Sequence, residues 1–276
     1  MNLPLHSIGR AHYNNFSSEP FKHNGLWHDK FFDQHSDGFG KLPQGAATAW
    51  IEKSWPQEKV DDQQQVKHQR KVGDKQQLDH THARLRAVWS NLGGAHRDLG
   101  TEWHMAIGMG NPHPLENGAT WHHTLAVPYV PASAVKGLLN AWLRWWCGDD
   151  DIADAWLGTG SGVGRLVFFD ALPVGPVMIG EDVMTPHQGT WYERGGSESA
   201  TDSDAPGDWH NPNPISFLVI KKATFRLVCM PRLPGDQALV GQALDQLESA
   251  FQHLGGGAKT GSGYGRLLKP QPEGTG

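Results

Sequence analysis

The chain has 276 residues, 38% hydrophobic and 19% charged, with 34 glycines, 18 prolines, 12 tryptophans and a formal net charge of −5. That length and apolar share give one large domain or two small ones, with a real core and much loop. The acidic balance excludes a generic polyanion binder, and two cysteines, Cys147 and Cys229, make neither a disulfide framework nor a zinc site by themselves.

The cysteine usage fits a reducing compartment. The N-terminus lacks a basic-then-apolar signal pattern, and no apolar stretch approaches the ~20 residues of a membrane span. A cytoplasmic protein with no membrane partner is expected. Any nucleic-acid contact must come from a local basic surface.

In chain order, residues 1–50 are aromatic-rich and broken by Gly and Pro, with a short strand expected near 24–32. Residues 52–79 hold seven glutamines and charges of both signs, and read as a solvated helix, a linker or a disordered insert. A helix is expected over 80–92 with Ala83, Ala87 and Val88 on one side. Trp103–Gly108 reads as a strand. A helix follows Pro131, with Ser133 as N-cap and Val135, Leu138, Leu139, Trp142, Leu143 and Trp146 at helical spacing. Lys136, Asn140 and Arg144 lie four apart on its other side and form a polar ridge.

Arg165–Asp170, Ile215–Ile220 and Thr224–Cys229 are strand-like. From Gln237 to Leu254 an amphipathic helix is expected, closed by Gly255 in a left-handed cap, then a last strand over Gly265–Lys269. The order from residue 102 is that of an α+β, ferredoxin-like (RRM-like) βαββαβ fold. An insert over 193–213 sets five acids against one base, Arg194, and reads as a long exposed loop or hairpin. The expected division is an N-terminal extension over 1–100 and a core over 101–276, with the hairpin insert at about 180–214.

Two glycine clusters carry the chemical signal. From Gly255 to Gly265, six of eleven residues are glycine, and Lys259, Arg266 and Lys269 accompany them with no acid. Such a run lets main-chain amides approach an anion closely. A Walker loop and a dinucleotide fingerprint both precede a helix, whereas this run follows one. Gly158–Gly164 also leads into a strand, has no cation before Arg165, and reads equally well as a plain turn.

Five stretches together resemble the RAMP superfamily of CRISPR proteins, and within it the subunit-six branch of the type III-B (Cmr) effector complexes. They are Asn24–Phe31, Ile107–Gly118, Pro128–Gly137, Asp182–His187 with Trp191-Tyr192 and Pro212–Phe217, and Gly255–Gly265. Ala132 and Ala134 stand where that family usually carries Gly and Ser. The resemblance implies a RAMP domain with insertions that acts as a non-catalytic scaffold. It would grip the 3′ part of a CRISPR RNA backbone, pack beside other RAMP subunits and the small subunit, and serve antiviral defence. Target RNA is a further implied partner.

The candidate RNA contacts are Ser133, Lys136, Asn140, Arg144, His187, Trp191, Tyr192, Gly255, Gly256, Gly257, Lys259, Thr260 and Arg266. The alternative is a RAMP endoribonuclease cleaving precursor or target RNA, with His187 or an N-terminal aspartate (Asp29, Asp33, Asp37) as base. A third reading, a metal-dependent hydrolase, has only the pairs His80/His82 and His122/His123 behind it. No spacing supplies the remaining ligands, and no cofactor is expected.

Overall fold

An aspartate and an arginine hold the register of the inner strand pair of the main sheet. The computed structural model describes residues 69–113, 117–186, 188–195, 197, 201, 205, 207 and 212–270. In it Asp98 lies opposite Arg226 across an antiparallel pair, and the guanidinium donates to both carboxylate oxygens at 2.8 and 2.6 Å. Such a bidentate pair is directional, and a one-residue slip would break it.

The elements are β1 (Gln69–Val72), α1 (Lys75–Asn91), β2 (Ala95–Thr101), α2 (Ala132–Ala141), α3 (Asp150–Leu157), β3 (Leu166–Phe168), β4 (Leu172–Pro173), β5 (Val177–Met184), α4 (Gly189–Arg194), β6 (Ile215–Lys222), β7 (Thr224–Pro231), α5 (Gln237–His253) and β8 (Leu267–Leu268). A π-helical turn, Trp142–Cys147, prolongs α2.

The main sheet runs β3-β7-β2-β8 with all neighbours antiparallel, and β4 continues the β3 edge along β7. With α2 between β2 and β3 and α5 between β7 and β8, this is the expected ferredoxin-like order. Helix α5 packs on β2, β7 and β8, and α2 packs on α5 and β3. Phe225, Leu227 and Cys229 alternate inward from β7 and meet Val240, Ala243, Leu244, Leu247 and Phe251 of α5 in one buried cluster. The Phe, Leu and Val side chains among them each contribute about 1.5–3 kcal/mol by leaving water. Burial also pushes the Cys229 thiol up to about 12. A second sheet, β1-β5-β6, is built on the long β5–β6 hairpin.

Four expectations need correction. The strand read at Trp103–Gly108 makes only single bridges, Met105 to Ile220 and Ala106 to Ala258, and links the second sheet to the loop after α5. The first core strand is β2 instead. Its charges obscured it: besides Asp98, Arg97 pairs with Asp245 and Glu248 of α5. The polar run 52–79 is not one unstructured unit, because Val72 in β1 and Leu78 in α1 are fully buried; residues 52–68 lie outside the described part.

Helix α1 begins near Lys75 because Asp74 caps it, accepting the Gln77 N–H at 2.8 Å. Its buried face is Leu78 and Trp89 with Leu85 packed alongside, whereas Ala83, Ala87 and Val88 are exposed. Ser133 is not the cap of α2 but lies in its first turn. Pro131 precedes the helix, and Asp170 takes the capping role from across the fold, accepting the Ala132 N–H at 2.7 Å. Two further readings stand. Gly255 turns left-handed (φ 74°) after α5 and sends its N–H back to Ala250, and β8 pairs with β2 as the last strand. The strand expected near 24–32 lies outside the described residues.

Candidate functional site

The run Gly255–Gly265 is rich in glycine first because it must fold tightly on itself. Gly256 donates to Gly265 O at 2.9 Å, Gly265 to His104 O at 2.9 Å and Ala258 to Ala106 O at 2.8 Å. A methyl on Gly265 would collide with the Gly256 carbonyl, and one on Gly257 with the Ala106 carbonyl. The glycines therefore let three backbone segments pass closely. This departs from the simple reading in which the whole run is bare for an anion, since Gly255, Gly256, Tyr264 and Gly265 are buried.

What remains open is the tip. The amides of Gly257, Lys259, Thr260 and Gly261 have no backbone acceptor among the described residues. Gly257, Gly261 and Ser262 are exposed, and Lys259 and Thr260 half-buried. Lys259 adopts a left-handed conformation (φ 59°), which costs a non-glycine residue free energy and has to be enforced by its surroundings. Its ammonium sits over the Phe217 ring, 5.4 Å from the centroid, and touches the sulfur of Met184. Arg266 is exposed and, among the described residues, has no ion pair.

Beside the tip lies an aromatic and carboxylate cluster that the sequence reading missed. Asp182 of β5 accepts from Tyr264 Oη at 2.8 Å and is 2.9 Å from His104 Nδ1, both at its Oδ2. Trp103 stacks on His104 (4.4 Å, 14°) and leans on Tyr264 (4.8 Å), yet remains 48% exposed. Trp103 is bound to the loop through its neighbours: Glu102 N–H donates to Arg266 O at 3.0 Å. The indole is thus a braced face, one residue from the backbone bond to Arg266. Sequence spacing could not reveal this, because His104 and Tyr264 are 78 and 82 positions from Asp182. The one visible sign was a lone aromatic, Tyr264, inside a glycine run.

Burial works to raise the Asp182 carboxyl, but hydrogen bonds from Tyr264, His104 and the Val183 N–H outweigh it and hold the carboxyl below its ordinary value. Burial, then the bond to Asp182 and its charge, push the Tyr264 phenol up to about 12. A depressed carboxyl contributes stability above its unfolded value, near 4, and loses it as pH falls through the lower folded value. In acid titration followed by thermal unfolding, Asp182→Asn is therefore expected to lose less stability than the parent below about pH 4. An equal loss in both proteins would remove Asp182 from the account.

The other candidates lie elsewhere. Ser133, Lys136 and Asn140 line a groove of about 490 Å³ together with Gly158, Thr159, Gly162 and Gly164. The second glycine cluster thus faces the polar ridge of α2. Lys136 is exposed and has no ion pair among the described residues. Arg144 is engaged internally, by Asn140 at 2.9 Å, Asp150 at 2.9 Å and Asp154. No hydrogen bond, ion pair or ring contact among the described residues joins this groove to the loop after α5. Trp191 and Tyr192 are exposed on α4, within the β5–β6 hairpin. His187 lies outside the described residues, as do Asp29, Asp33 and Asp37.

Among the described residues no group of three or more His, Cys, Asp or Glu side chains is placed to hold a metal ion, and no helix is long and apolar enough to cross a membrane.

Comparison with known proteins converges on one family. Over 117 residues, 41% of this chain and about a third (33%) of the relative's length, the sequence is 37% identical to the CRISPR system Cmr subunit Cmr6 of Pyrococcus furiosus. A chain of the type III-B Cmr-beta assembly, solved by cryo-EM bound to cognate target RNA, superposes with a TM-score of 0.56 at 22% identity, covering 72% of this chain and 66% of that one. That likeness supports the fold. The profile of the RAMP superfamily matches residues 99–268, from within β2 to the end of β8 and more than half of the chain. The chain belongs to the RAMP superfamily.

Proposed function

We propose that this chain is a structural, non-cleaving RNA-binding subunit of a type III-B CRISPR ribonucleoprotein, holding the 3′ part of a CRISPR RNA beside other RAMP subunits in antiviral defence. The observation that carries it is a coincidence at one place. The unbonded amides of Gly257 and Lys259–Gly261 and the Lys259 cation lie at the tip of the loop after α5, and Arg266 and the exposed Trp103 flank its neck, where Glu102 bonds to Arg266 and Gly265 to His104. Amides and cations suit phosphate oxygens, and an indole suits the face of any base. None of these groups reads a base edge, so they position an RNA without selecting its sequence. That property fits a subunit serving many guides. Similarity to Cmr6 supports the choice of system.

The Lys136 groove, with Ser133, Asn140 and the 158–164 turn, is a second place for a phosphate on the same strand. Trp191 and Tyr192, on the hairpin, are free to stack from another direction.

The test is binding of single-stranded RNA by the full chain across a salt series. In the variant Lys259→Ala/Arg266→Ala the slope of log affinity against log salt is expected to fall by about 1.4 and affinity at moderate salt by about tenfold, to the same degree for unrelated sequences. The labelled RNA, with and without magnesium, is expected to stay intact. Unchanged affinity and slope would refute the loop assignment, and cleavage would favour the endoribonuclease reading.

A further inference from the structure

The helical layer carries a feature that neither the fold nor RNA binding uses. The π-helical turn Trp142–Cys147 ends at Gly148, which is left-handed (φ 70°). Trp142 is buried, donates its Nε1–H to Gln246 at 2.6 Å and stacks on both Trp146 and His253, each at 5.5 Å. The next two aromatics look outward: Trp145 is 84% exposed and Trp146 60%. Trp145 is left almost wholly in water, and Trp146 keeps most of its surface exposed while one side stacks on Trp142; exposed large apolar surface of this kind marks an interaction site. A π-helical turn often coincides with one.

The charges around the turn say what sits there. Between Gly137 and Leu157 the chain has four acids (Asp149, Asp150, Asp151, Asp154) and one base, Arg144. That base is tied to Asp150 and Asp154, so it presents no free cation. Asp151 is exposed and has no ion pair among the described residues. Helix α5, which supplies His253, has no Lys or Arg, and its Asp245 and Glu248 are paired with Arg97 and Lys269. The stretch keeps a net negative charge, which disfavours phosphate, whereas a guanidinium or ammonium gains from the indole faces and from that charge. Trp is the aromatic on which a cation binds best.

We propose that the Trp145–Trp146 turn, with Asp151 in the first turn of the helix that follows it, docks an arginine- or lysine-bearing segment of a neighbouring protein subunit. It is a protein-facing surface, separate from the loop after α5, and stands whether or not that loop holds RNA.

Cys147 adjoins the two indoles and is exposed, whereas Cys229, the other cysteine of the chain, is buried. A thiol-reactive, environment-sensitive dye therefore reports on this turn alone. The full chain labelled at Cys147 is titrated with an arginine-rich peptide, a glutamate-rich peptide of equal length and a single-stranded RNA. Expected are rapid labelling of the free protein and a saturable response to the arginine-rich peptide only. Trp145→Ala/Trp146→Ala should weaken that response about tenfold or more, and Asp151→Asn several-fold. Trp146 also stacks on Trp142, so folding of the double variant is checked by thermal unfolding, and Trp145→Ala alone, which removes no ring contact among the described residues, must show the same direction of effect.

Several outcomes would overturn the proposal. One is a response to RNA or to the glutamate-rich peptide equal to that for the arginine-rich one. Another is no loss in the Trp145→Ala/Trp146→Ala variant. A third is a signal that follows protein concentration alone, which makes a second copy of the chain the occupant. Slow labelling of the free protein would mean that its own residues cover the turn.

Discussion

Alanine at position 265 is expected to destabilise the folded chain by roughly 3 kcal/mol, the largest stability effect of any single loop substitution. Gly265 has φ 78°, a conformation that L side chains rarely adopt, and its added methyl would press on the Gly256 carbonyl, a backbone atom that cannot rotate away. To make room, the pairing of Gly256 with Gly265 must open, and with it the bond from Gly265 to His104 O. That last bond anchors the residue next to Trp103, so RNA binding is expected to fall along with stability. Gly261→Ala is the control. Nothing lies within 4 Å of its added methyl, and the position has no positive φ. Its stability should stay within about 0.5 kcal/mol of the parent. Thermal unfolding of the two variants gives the comparison. Equal stabilities would mean that the loop is not folded as described.

The second large effect is on binding. Trp103→Ala is expected to weaken single-stranded RNA by about 2 kcal/mol, close to thirtyfold in Kd, with little change in the salt slope. The indole is half exposed, so its removal opens no cavity, and its inner face is already held by His104 and Tyr264. A braced ring loses little freedom when a base lands on it, which is the physical reason for the size of the effect. Trp103→Phe should recover most of the affinity. The split between the variants is informative: loss of the cations at 259 and 266 moves the salt slope, whereas loss of the ring moves affinity alone. Fluorescence anisotropy at two salt concentrations separates them. If Trp103→Ala binds like the parent, stacking has no part in the interface.

How far the sequence led depends on the kind of signal. Helix α5 was legible because seven apolar residues recur at helical spacing and a glycine closes it, and both signals are local. The edge β3 and the pair β6 and β7 announced themselves as β-branched and aromatic runs. The strand β2 did not. Its charges face partners on β7 and α5, and only the folded chain makes such residues cheap to bury. The same holds for the cap of α2. A serine stood in the expected place, but an aspartate 38 positions away does the work.

The candidate site divides in the same way. Glycine-run position and the two cations could be read directly, whereas the Trp103–His104–Asp182–Tyr264 cluster depends on the segment that bridges the second sheet to the loop after α5. The conflict between glycine as a ligand cradle and glycine as a packing necessity could only be resolved by geometry. Here packing accounts for Gly255, Gly256, Gly257 and Gly265, while Gly261 stands in open space.

The proposed function requires a ribose-phosphate strand to lie across the loop after α5 and to leave intact. Photo-crosslinking of the full chain to 4-thiouridine RNA, followed by peptide mapping, asks this directly. Crosslinks are expected at Trp103 and within residues 257–266, with a second set near Lys136, and the unirradiated RNA should be recovered at full length. Crosslinks confined to the acidic face around Trp145 and Asp151, or RNA recovered in pieces, would contradict the account.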